Sequence, residues 1–337
     1  QPMKKVRVLL SVTAASCLAI TSLAGCTSTA ERKEVPSSSP TETYPALRVE
    51  QVTPILKAVN SALAAGDAKF DAGALKPRVA GPALAMRTAQ YQMHQKNNQA
   101  VPTALPASSE ITTVTSGNKW PRALLNVTGA DSSGAKYVEI IRQNQATSPY
   151  QLWQWMQLLP KASLPETDVV ARGSQTLDLA SDANLMFSPE VAVNTWAQTV
   201  FDAKAKNADK VFVDPLMEGK RAELKALTEG VGNAGKVAST VTPTDFKNNT
   251  LAINLPAKNG ALVATTYTQE VKLTDVAKDK PITLSGDVVN LLDNGKVTKQ
   301  ASWSRVICVL LQIPPKGTKD GKVRVIAASE VLTAAAK

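Results

Sequence analysis

The chain has 337 residues, with 38 Lys and Arg against 28 Asp and Glu, which gives a net charge of +10. Hydrophobic residues make up 44% and charged residues 20%, a composition that excludes a wholly disordered chain. His occurs once and Cys three times, so a His/Cys metal site or a Ser-His-Asp triad has almost no residues to be built from. We therefore expect no metal, no cofactor and no catalytic residue.

The first 25 residues have the pattern of a secretory signal peptide. Met3 is followed by Lys4, Lys5 and Arg7, and then by the apolar run Val8–Ile20. A transmembrane helix is the alternative, but it needs about 20 predominantly apolar residues. This run contains Ser and Thr throughout and is followed by small residues, which favours a signal peptide.

The segment Leu23-Ala24-Gly25-Cys26 closes this region and resembles the lipobox of bacterial lipoproteins. The resemblance implies cleavage between Gly25 and Cys26 and attachment of a diacylglycerol to the Cys26 thiol. It predicts a mature protein that is lipid-anchored on the extracytoplasmic face of the bacterial cell membrane. Loss of the three basic residues before the cut lowers the net charge from +10 to +7.

Residues 26–46 predict a lipidated Cys followed by a disordered tether, because Ser, Thr, Pro and Glu dominate the segment. Cys17 is removed with the signal peptide and Cys26 is lipidated, so Cys308 remains as the one free thiol. An intramolecular disulfide is then excluded, and the fold must be stabilised by its apolar core. Cys308 lies in an apolar run and is expected to be buried.

Residues 47–180 predict a first domain in which helices precede strands. Apolar residues at helical spacing predict a helix from Val49 to about Gly66, and a second helix is expected from about Pro82 to Gln95. Alternating and apolar runs then predict strands at Ile111–Thr115, Ala123–Thr128, Lys136–Arg142, Gln151–Leu159 and Asp168–Arg172.

Residues 188–333 predict a second domain with the same order, after a linker at Leu177–Ser188. Ser188 and Asp214 are each followed by Pro, which is typical of a helix N-cap and first helical position. The second of these helices is expected to end near Gly230. Strands are predicted at Leu251–Leu255, Ala261–Leu273, Ile282–Val289, Trp303–Ile313 and Val323–Ala328.

The two halves also share local sequence, since Trp155–Pro160 resembles Leu310–Pro315 and Gln157 lies 155 residues before Gln312. Runs of helices followed by runs of strands indicate an α+β fold. We predict two repeated domains, each with helices packed on a curved antiparallel sheet. The element order resembles the NTF2-like or cystatin-like class, and such a tethered tandem is similar to envelope lipoproteins of high-GC actinobacteria.

Few side chains in the chain suggest chemistry. The letters of Gly230–Gly235 match a dinucleotide-binding fingerprint, but a predicted helix precedes them and a Thr/Pro loop follows, so they indicate a helix C-cap and turn. His94 lies at a polar helix end, where the helix dipole favours a positive charge. We expect most of four tryptophans in the core, with a cleft lining as the alternative: Trp153, Trp155, Trp196 and Trp303.

These observations favour a non-enzymatic binding or scaffolding module of the cell envelope, with another envelope protein, a lipid or a glycan as its partner. The positive charge suits anionic lipids or wall polymers or simply solubility, and an exported protein is not expected to bind nucleic acid. One alternative is the solute-binding lipoprotein of a transporter, which predicts alternating strands and helices with parallel sheets. Another is an envelope enzyme that uses a carboxylate or a Tyr in an NTF2-like pocket, with Glu139 and Asp287 as the nearest carboxylate candidates.

Overall fold

The computed structural model describes residues 43–97, 101–182 and 184–337. The predicted signal peptide, Cys26 and the tether up to residue 42 lie outside the described residues. The α-helices are α1 (Val49–Lys69), α2 (Ala72–Leu75), α3 (Gly81–Asn97), α4 (Pro189–Phe201), α5 (Pro215–Val231) and α6 (Phe246–Asn249). In the described part of the chain, no helix is long and apolar enough to cross a membrane.

The helix starts of the second half follow from their capping residues. The Ser188 side chain accepts a hydrogen bond of 3.2 Å from the backbone N–H of Val191, and the Asp214 side chain accepts one of 2.9 Å from that of Met217. A proline occupies the first position of both helices, where its missing N–H is not needed. The predicted starts of α4 and α5 are therefore confirmed.

The strands are β1 (Ser109–Ser116), β2 (Arg122–Thr128), β3 (Tyr137–Gln143), β4 (Gln151–Leu158), β5 (Ser174–Gln175), β6 (Lys236–Pro243), β7 (Leu251–Asn254), β8 (Ala261–Thr274), β9 (Ile282–Thr283), β10 (Lys296–Val297), β11 (Ala301–Ile313) and β12 (Arg324–Ala336).

One large sheet has the order β5–β1–β2–β3–β4–β12–β11–β8–β6, with β7 also paired to β8. All its pairs are antiparallel except β1 with β5. The sheet is strongly curved, as a bridge between Thr176, next to β5, and Ile253 of β7 shows. The strand at one end of the sheet, β5, therefore lies close to β7, which pairs with β8.

The two halves of the chain meet between β4 and β12. Strands β1 to β4 form a first antiparallel run, and β6, β8, β11 and β12 form a second one. Two residue pairs join these runs, Leu158 with Ala327 and Gln157 with Ala328, and we call this short pairing the seam. The α+β class with a curved antiparallel sheet is confirmed. The halves share one sheet, and their repetition stays a prediction.

The core divides according to the alternation of the strands. Cys308 and Leu310 of β11 belong to a cluster formed with α1, α2, α3 and β1 to β4. Ile307 and Val309, which point to the opposite face of the same strand, belong to a cluster formed with α4 and α5. A third cluster surrounds Trp303. Since β11 is buried on both faces, it is the central strand of the fold.

Three predicted segments differ from the structure. Asp168–Arg172 is not a strand, because residues 170–172 form a turn before β5. Only Ile282 and Thr283 of the strand predicted at Ile282–Val289 are paired, and a 3₁₀ helix (Asp287–Leu291) follows. The Thr/Pro loop expected after Gly235 is β6, which pairs along its whole length with β8.

The last residues of the predicted tether are ordered. The Ala46 N–H donates to the Thr115 carbonyl at 2.7 Å, and the Gly117 N–H donates to the Tyr44 carbonyl at 3.0 Å. Backbone hydrogen bonds to β1 therefore fix the chain from residue 44 onward, which shortens the predicted tether at its C-terminal end.

Candidate functional site

Two adjoining cavities lie along the seam, with volumes of about 420 and about 530 Å³. Both are lined by Leu159, which follows β4, and by Pro215, the first residue of α5. We call the pair the seam groove. Its first cavity lies between α3, β4 and β12, and its second lies beside the segment that follows β4 and the start of β12. An elongated site of this kind suits an extended ligand.

Arg87 of α3 lines the first cavity and is almost completely buried. Its Nε and one terminal nitrogen donate to the two carboxylate oxygens of Asp67, at 2.9 and 2.6 Å. The remaining N–H groups donate to Gln90 Oε1 at 3.1 Å and, from both terminal nitrogens, to the Thr103 carbonyl at 3.2 Å. A guanidinium has five N–H groups, so all of them are used within the protein.

Asp67 binds a second partner, because the Tyr91 hydroxyl also donates to it. Burial is the main cause that raises the pKa of Tyr91, and the neighbouring Asp67 carboxylate raises it further. The Tyr91 hydroxyl therefore stays neutral and acts as a hydrogen-bond donor. The cluster of Asp67, Arg87 and Tyr91 joins α1, α3 and the segment after α3. It holds the wall of the cavity in place, and among the described residues that line the first cavity it leaves no cation with a free donor.

A second buried charge, Lys220, pairs with a carboxylate that lines the first cavity. Lys220 of α5 has only 4% of its side chain exposed and forms ion pairs with Glu330 of β12 and, at 3.2 Å, with Glu223. Glu330 lines the cavity, so the Lys220 ammonium group balances the Glu330 carboxylate at the place where a ligand would lie.

Uncharged polar side chains supply much of the remaining polar lining. In the first cavity these are Gln90, Thr103, Gln157 and Ser329, and in the second they include Gln312 and Ser163. Gln157 and Gln312, matched in the sequence comparison of the halves, thus lie in adjoining cavities. Amide and hydroxyl groups donate and accept, which suits a polar ligand without net charge.

The second cavity adds exposed charges of both signs. Lys161 and Arg324 are its cations and Glu218 is its carboxylate. The Arg324 guanidinium lies 3.8 Å from the centroid of the Phe212 ring, within the range of a cation–π contact. This mixture differs from the single-sign lining of a polyanion site.

Glu139, the first carboxylate proposed from the sequence, is buried on β3. One of its oxygens accepts a hydrogen bond of 2.7 Å from the Asn126 amide, and the other has no hydrogen-bond partner among the described residues. Burial raises the pKa of Glu139 to about 7, although the Asn126 bond opposes the shift. Neither cavity of the groove is lined by Glu139, so the structure does not join it to the groove.

Asp287, the second proposed carboxylate, is paired. Both of its oxygens accept hydrogen bonds of 2.8 Å from the terminal nitrogens of Arg305. A bidentate pair of this kind orients both side chains. Glu139 lies on β3 and Asp287 in the 3₁₀ helix of the second half, and no described contact brings them into a common site.

The other residues singled out in the sequence have structural positions. His94 lies in the last turn of α3, with its ring centroid 4.1 Å from that of Phe70. Gly232 ends α5 with a positive φ of 53°, so the C-cap interpretation of Gly230–Gly235 is confirmed. Cys308 is fully buried, and burial raises the pKa of its thiol to about 12. The core prediction is confirmed for Trp155, Trp196 and Trp303, whereas Trp153 is half-buried.

Trp155 also lines the first cavity of the groove, so the cleft alternative applies to this residue as well. Arg87 and Lys220 were not identified from the sequence. A signal existed, because each lies on the apolar stripe of its helix: Arg87 is four residues after Ala83, and Lys220 is three after Met217. A charge at such a position indicates a buried partner on another element.

Among the described residues, no group of three or more His, Cys, Asp or Glu side chains is arranged to hold a metal ion. Cys26 and Gly25, the predicted lipidation and cleavage residues, lie outside the described residues. Comparison with family models, with curated proteins and with solved structures found no match to this chain.

Proposed function

We propose that this chain is a lipid-anchored lipoprotein of the bacterial cell envelope, that it is a binding module, and that its seam groove holds an extended, uncharged glycan chain. The observation that carries this proposal is the state of the groove's polar groups. The buried Arg87 and the partly exposed Glu330 are balanced by Asp67 and Lys220, while the amides of Gln157 and Gln312 line the open space. Hydroxyl and acetamido groups of a glycan match such a lining.

The choice of glycan among the envelope partners follows from the groove's charge balance. A polyanion would need several cations with free donors, but the five N–H groups of Arg87 are all bonded within the protein, and the exposed Lys161 and Arg324 share the second cavity with the Glu218 carboxylate. An uncharged polar chain has no such need. It would replace water on the amide and hydroxyl groups without leaving a buried charge unpaired.

Binding is tested with the full chain in a polyoxyethylene ether detergent, which contains neither sugar nor ester groups. Calorimetric titration with a tetramer of N-acetylglucosamine is expected to give saturable binding. A tetramer of galacturonate, which carries a carboxylate on each unit, is expected to bind at least ten-fold more weakly. Equal or tighter binding of the galacturonate tetramer would overturn the assignment to uncharged glycans.

The anchor is tested separately by mass spectrometry of the mature N-terminus. A chain that begins at a diacylated Cys26 supports the lipoprotein proposal, since two acyl chains are what stable anchoring requires. A chain that still carries residues 3–25 with an unmodified Cys26 would overturn it.

The transporter alternative from the sequence analysis, a solute-binding lipoprotein, predicts a parallel α/β sheet, and the antiparallel sheet gives it no support.

An envelope enzyme remains the second candidate, and one observation favours it. Glu139 combines a buried carboxylate, an unpaired oxygen and a pKa of about 7, which is a combination found in general acids and bases. If the unchanged chain turns over an envelope substrate, loss of that turnover in the Glu139→Gln variant, with the fold intact, would support this candidate. The position of Glu139 outside the groove lining makes the binding module our first choice.

We also propose that the two halves arose by duplication of an NTF2-like or cystatin-like unit. The support is topological, because each half has helices followed by an antiparallel run, and the last strand of each run lies at the seam. This arrangement matches β4 with β12, whereas the shared local sequence matches β4 with β11. Superposition of residues 47–175 on 188–333 tests the proposal, and it fails if α1 and most strands find no counterpart.

A further inference from the structure

A third cavity, of about 370 Å³, lies between the second half of α5, the segment from β9 to the 3₁₀ helix, and β11. We call it the α5–β11 cavity. Apolar side chains form much of its lining: Leu227, Val231, Ile282, Leu284 and Val288. A cavity of this size and character, with a few polar groups, is typical of sites for small molecules.

Two buried donors in the wall of this cavity have no acceptor among the described residues. Trp303 is 5% exposed, and its indole N–H has no hydrogen-bond partner. The Nε–H of Arg305 also has none, since Glu223 Oε1 lies 3.9 Å away, beyond hydrogen-bond length. Both residues line the cavity, and they lie two positions apart on the same face of β11. An acceptor atom supplied by a ligand would remove the cost of these unpaired groups.

The charges around the cavity restrict the kind of acceptor. The terminal nitrogens of Arg305 are held by the Asp287 carboxylate, and Glu223 lies beside them. Carboxylates therefore already balance the guanidinium, and an additional anion would be repelled by them. A carbonyl oxygen accepts a hydrogen bond without bringing a charge. An apolar chain attached to it would contact the aliphatic lining.

We propose that the α5–β11 cavity binds a neutral acyl ester, with the carbonyl oxygen accepting from Trp303 and Arg305 and the acyl chain packed on the aliphatic side chains. Both a free monoacylglycerol and a bilayer diacylglycerol have this chemistry. The site is separate from the seam groove, so the proposal stands or falls independently of glycan binding.

The test uses the full chain in a polyoxyethylene ether detergent and a monooctanoylglycerol that carries a photoreactive diazirine at the end of its acyl chain. Peptide mapping by mass spectrometry is expected to locate the label in α5 and in the segment from β9 to the 3₁₀ helix. Unlabelled monooctanoylglycerol or dioleoylglycerol is expected to compete, and the stronger competitor identifies the source of the ester. Octanoate, with the same chain and a carboxylate, is expected to compete at least ten-fold more weakly.

Three variants distinguish binding from an effect on folding. Trp303→Phe keeps the ring and removes the unpaired N–H, and is expected to lower labelling about five-fold, the value of one hydrogen bond. Ala226 is an exposed residue of α5 that lines the cavity, so the larger side chain of Ala226→Trp should fill the cavity and abolish labelling. The matched control is Trp196→Phe, because that indole N–H already donates to Asp214 at 2.9 Å, and its labelling should be unchanged. Label outside the cavity, undiminished label in Ala226→Trp, or equal competition by octanoate would overturn the proposal.

Discussion

Lys220 of α5, which is buried, pairs with the partly exposed Glu330 of β12, and this ion pair ties a helix of the second half to the strand at the seam. Lys220 also contacts Glu223, whose other neighbour is Arg305, and Arg305 is held by Asp287. This series of charges extends from the seam groove, which Glu330 lines, to the α5–β11 cavity, which Asp287 lines. The ionic side chains between the two cavities are therefore used to hold α5 on the sheet.

Replacement of Lys220 by Met is expected to destabilise the fold. The substitution leaves Glu330 and Glu223 without their shared partner, and a lost hydrogen bond to a charged group costs about 2 kcal/mol. Urea unfolding of the full chain measures the change. Lys225→Met is the control, since Lys225 is 76% exposed and its pair with Glu229 spans 3.9 Å, and we expect a change below about 0.5 kcal/mol for it.

Arg87→Met is expected to cost about 3 kcal/mol of the free energy of unfolding, because it leaves the Asp67 carboxylate with an unbalanced charge in a partly buried site. The double variant with Asp67→Leu is expected to recover part of this loss, since no unpaired charge then remains. Arg172→Met is the matched control, because Arg172 is 77% exposed in its pair with Asp168. Equal effects of Arg87→Met and Arg172→Met would contradict the role given to Arg87.

The local structure around helix starts could be predicted from the sequence, whereas the long-range pairing could not. Ser188 and Asp214 cap helices through contacts within three residues, so the sequence contains the whole signal. The seam joins Gln157 to Ala328, which are far apart in the chain, and no local pattern specifies that pairing. The strand β6 was missed because its Thr and Pro suggested a loop, although Val237 and Val241 alternate as a strand requires.

The candidate site was predicted only in part. Gln157 and Trp155 were recognised as features of the sequence, and both line the groove. The roles of Arg87 and Lys220 depend on partners from other elements, Asp67 on α1 and Glu330 on β12, which only the fold brings close. A buried charge can be suspected from its place on an apolar helix face, but its partner cannot be identified in that way.

Glu139 is expected to make stability fall as the pH rises. Its pKa is about 7 in the folded chain and near 4.5 when exposed, so the folded state binds more protons between these values. Its contribution is complete below pH 4.5, decreases through this window, and is lost above pH 7, a change of about 3 kcal/mol. Urea unfolding of Glu139→Gln and the unchanged chain, at intervals from pH 5 to 8, measures it. A pH slope that is the same in both proteins would contradict the buried, unpaired carboxylate.

Cys308 is expected to be inert in the folded protein. It is fully buried, and the raised pKa of about 12 leaves almost no thiolate at neutral pH. Labelling with a maleimide should therefore proceed at the rate of unfolding and become rapid in urea. Fast labelling of the native chain at this residue, located by peptide mapping, would show that β11 is not the closed central strand described above.

The central claim, that the seam groove binds an uncharged glycan, is tested most directly by the affinity of the double variant Gln157→Ala/Gln312→Ala for the N-acetylglucosamine tetramer. Each lost hydrogen bond costs about 1 kcal/mol, so we expect binding about 30-fold weaker than in the unchanged chain. Gln300→Ala, at an exposed position outside the groove, should bind as the unchanged chain does. Unaltered affinity in the double variant, measured by calorimetry on a protein with unchanged unfolding, would contradict the claim.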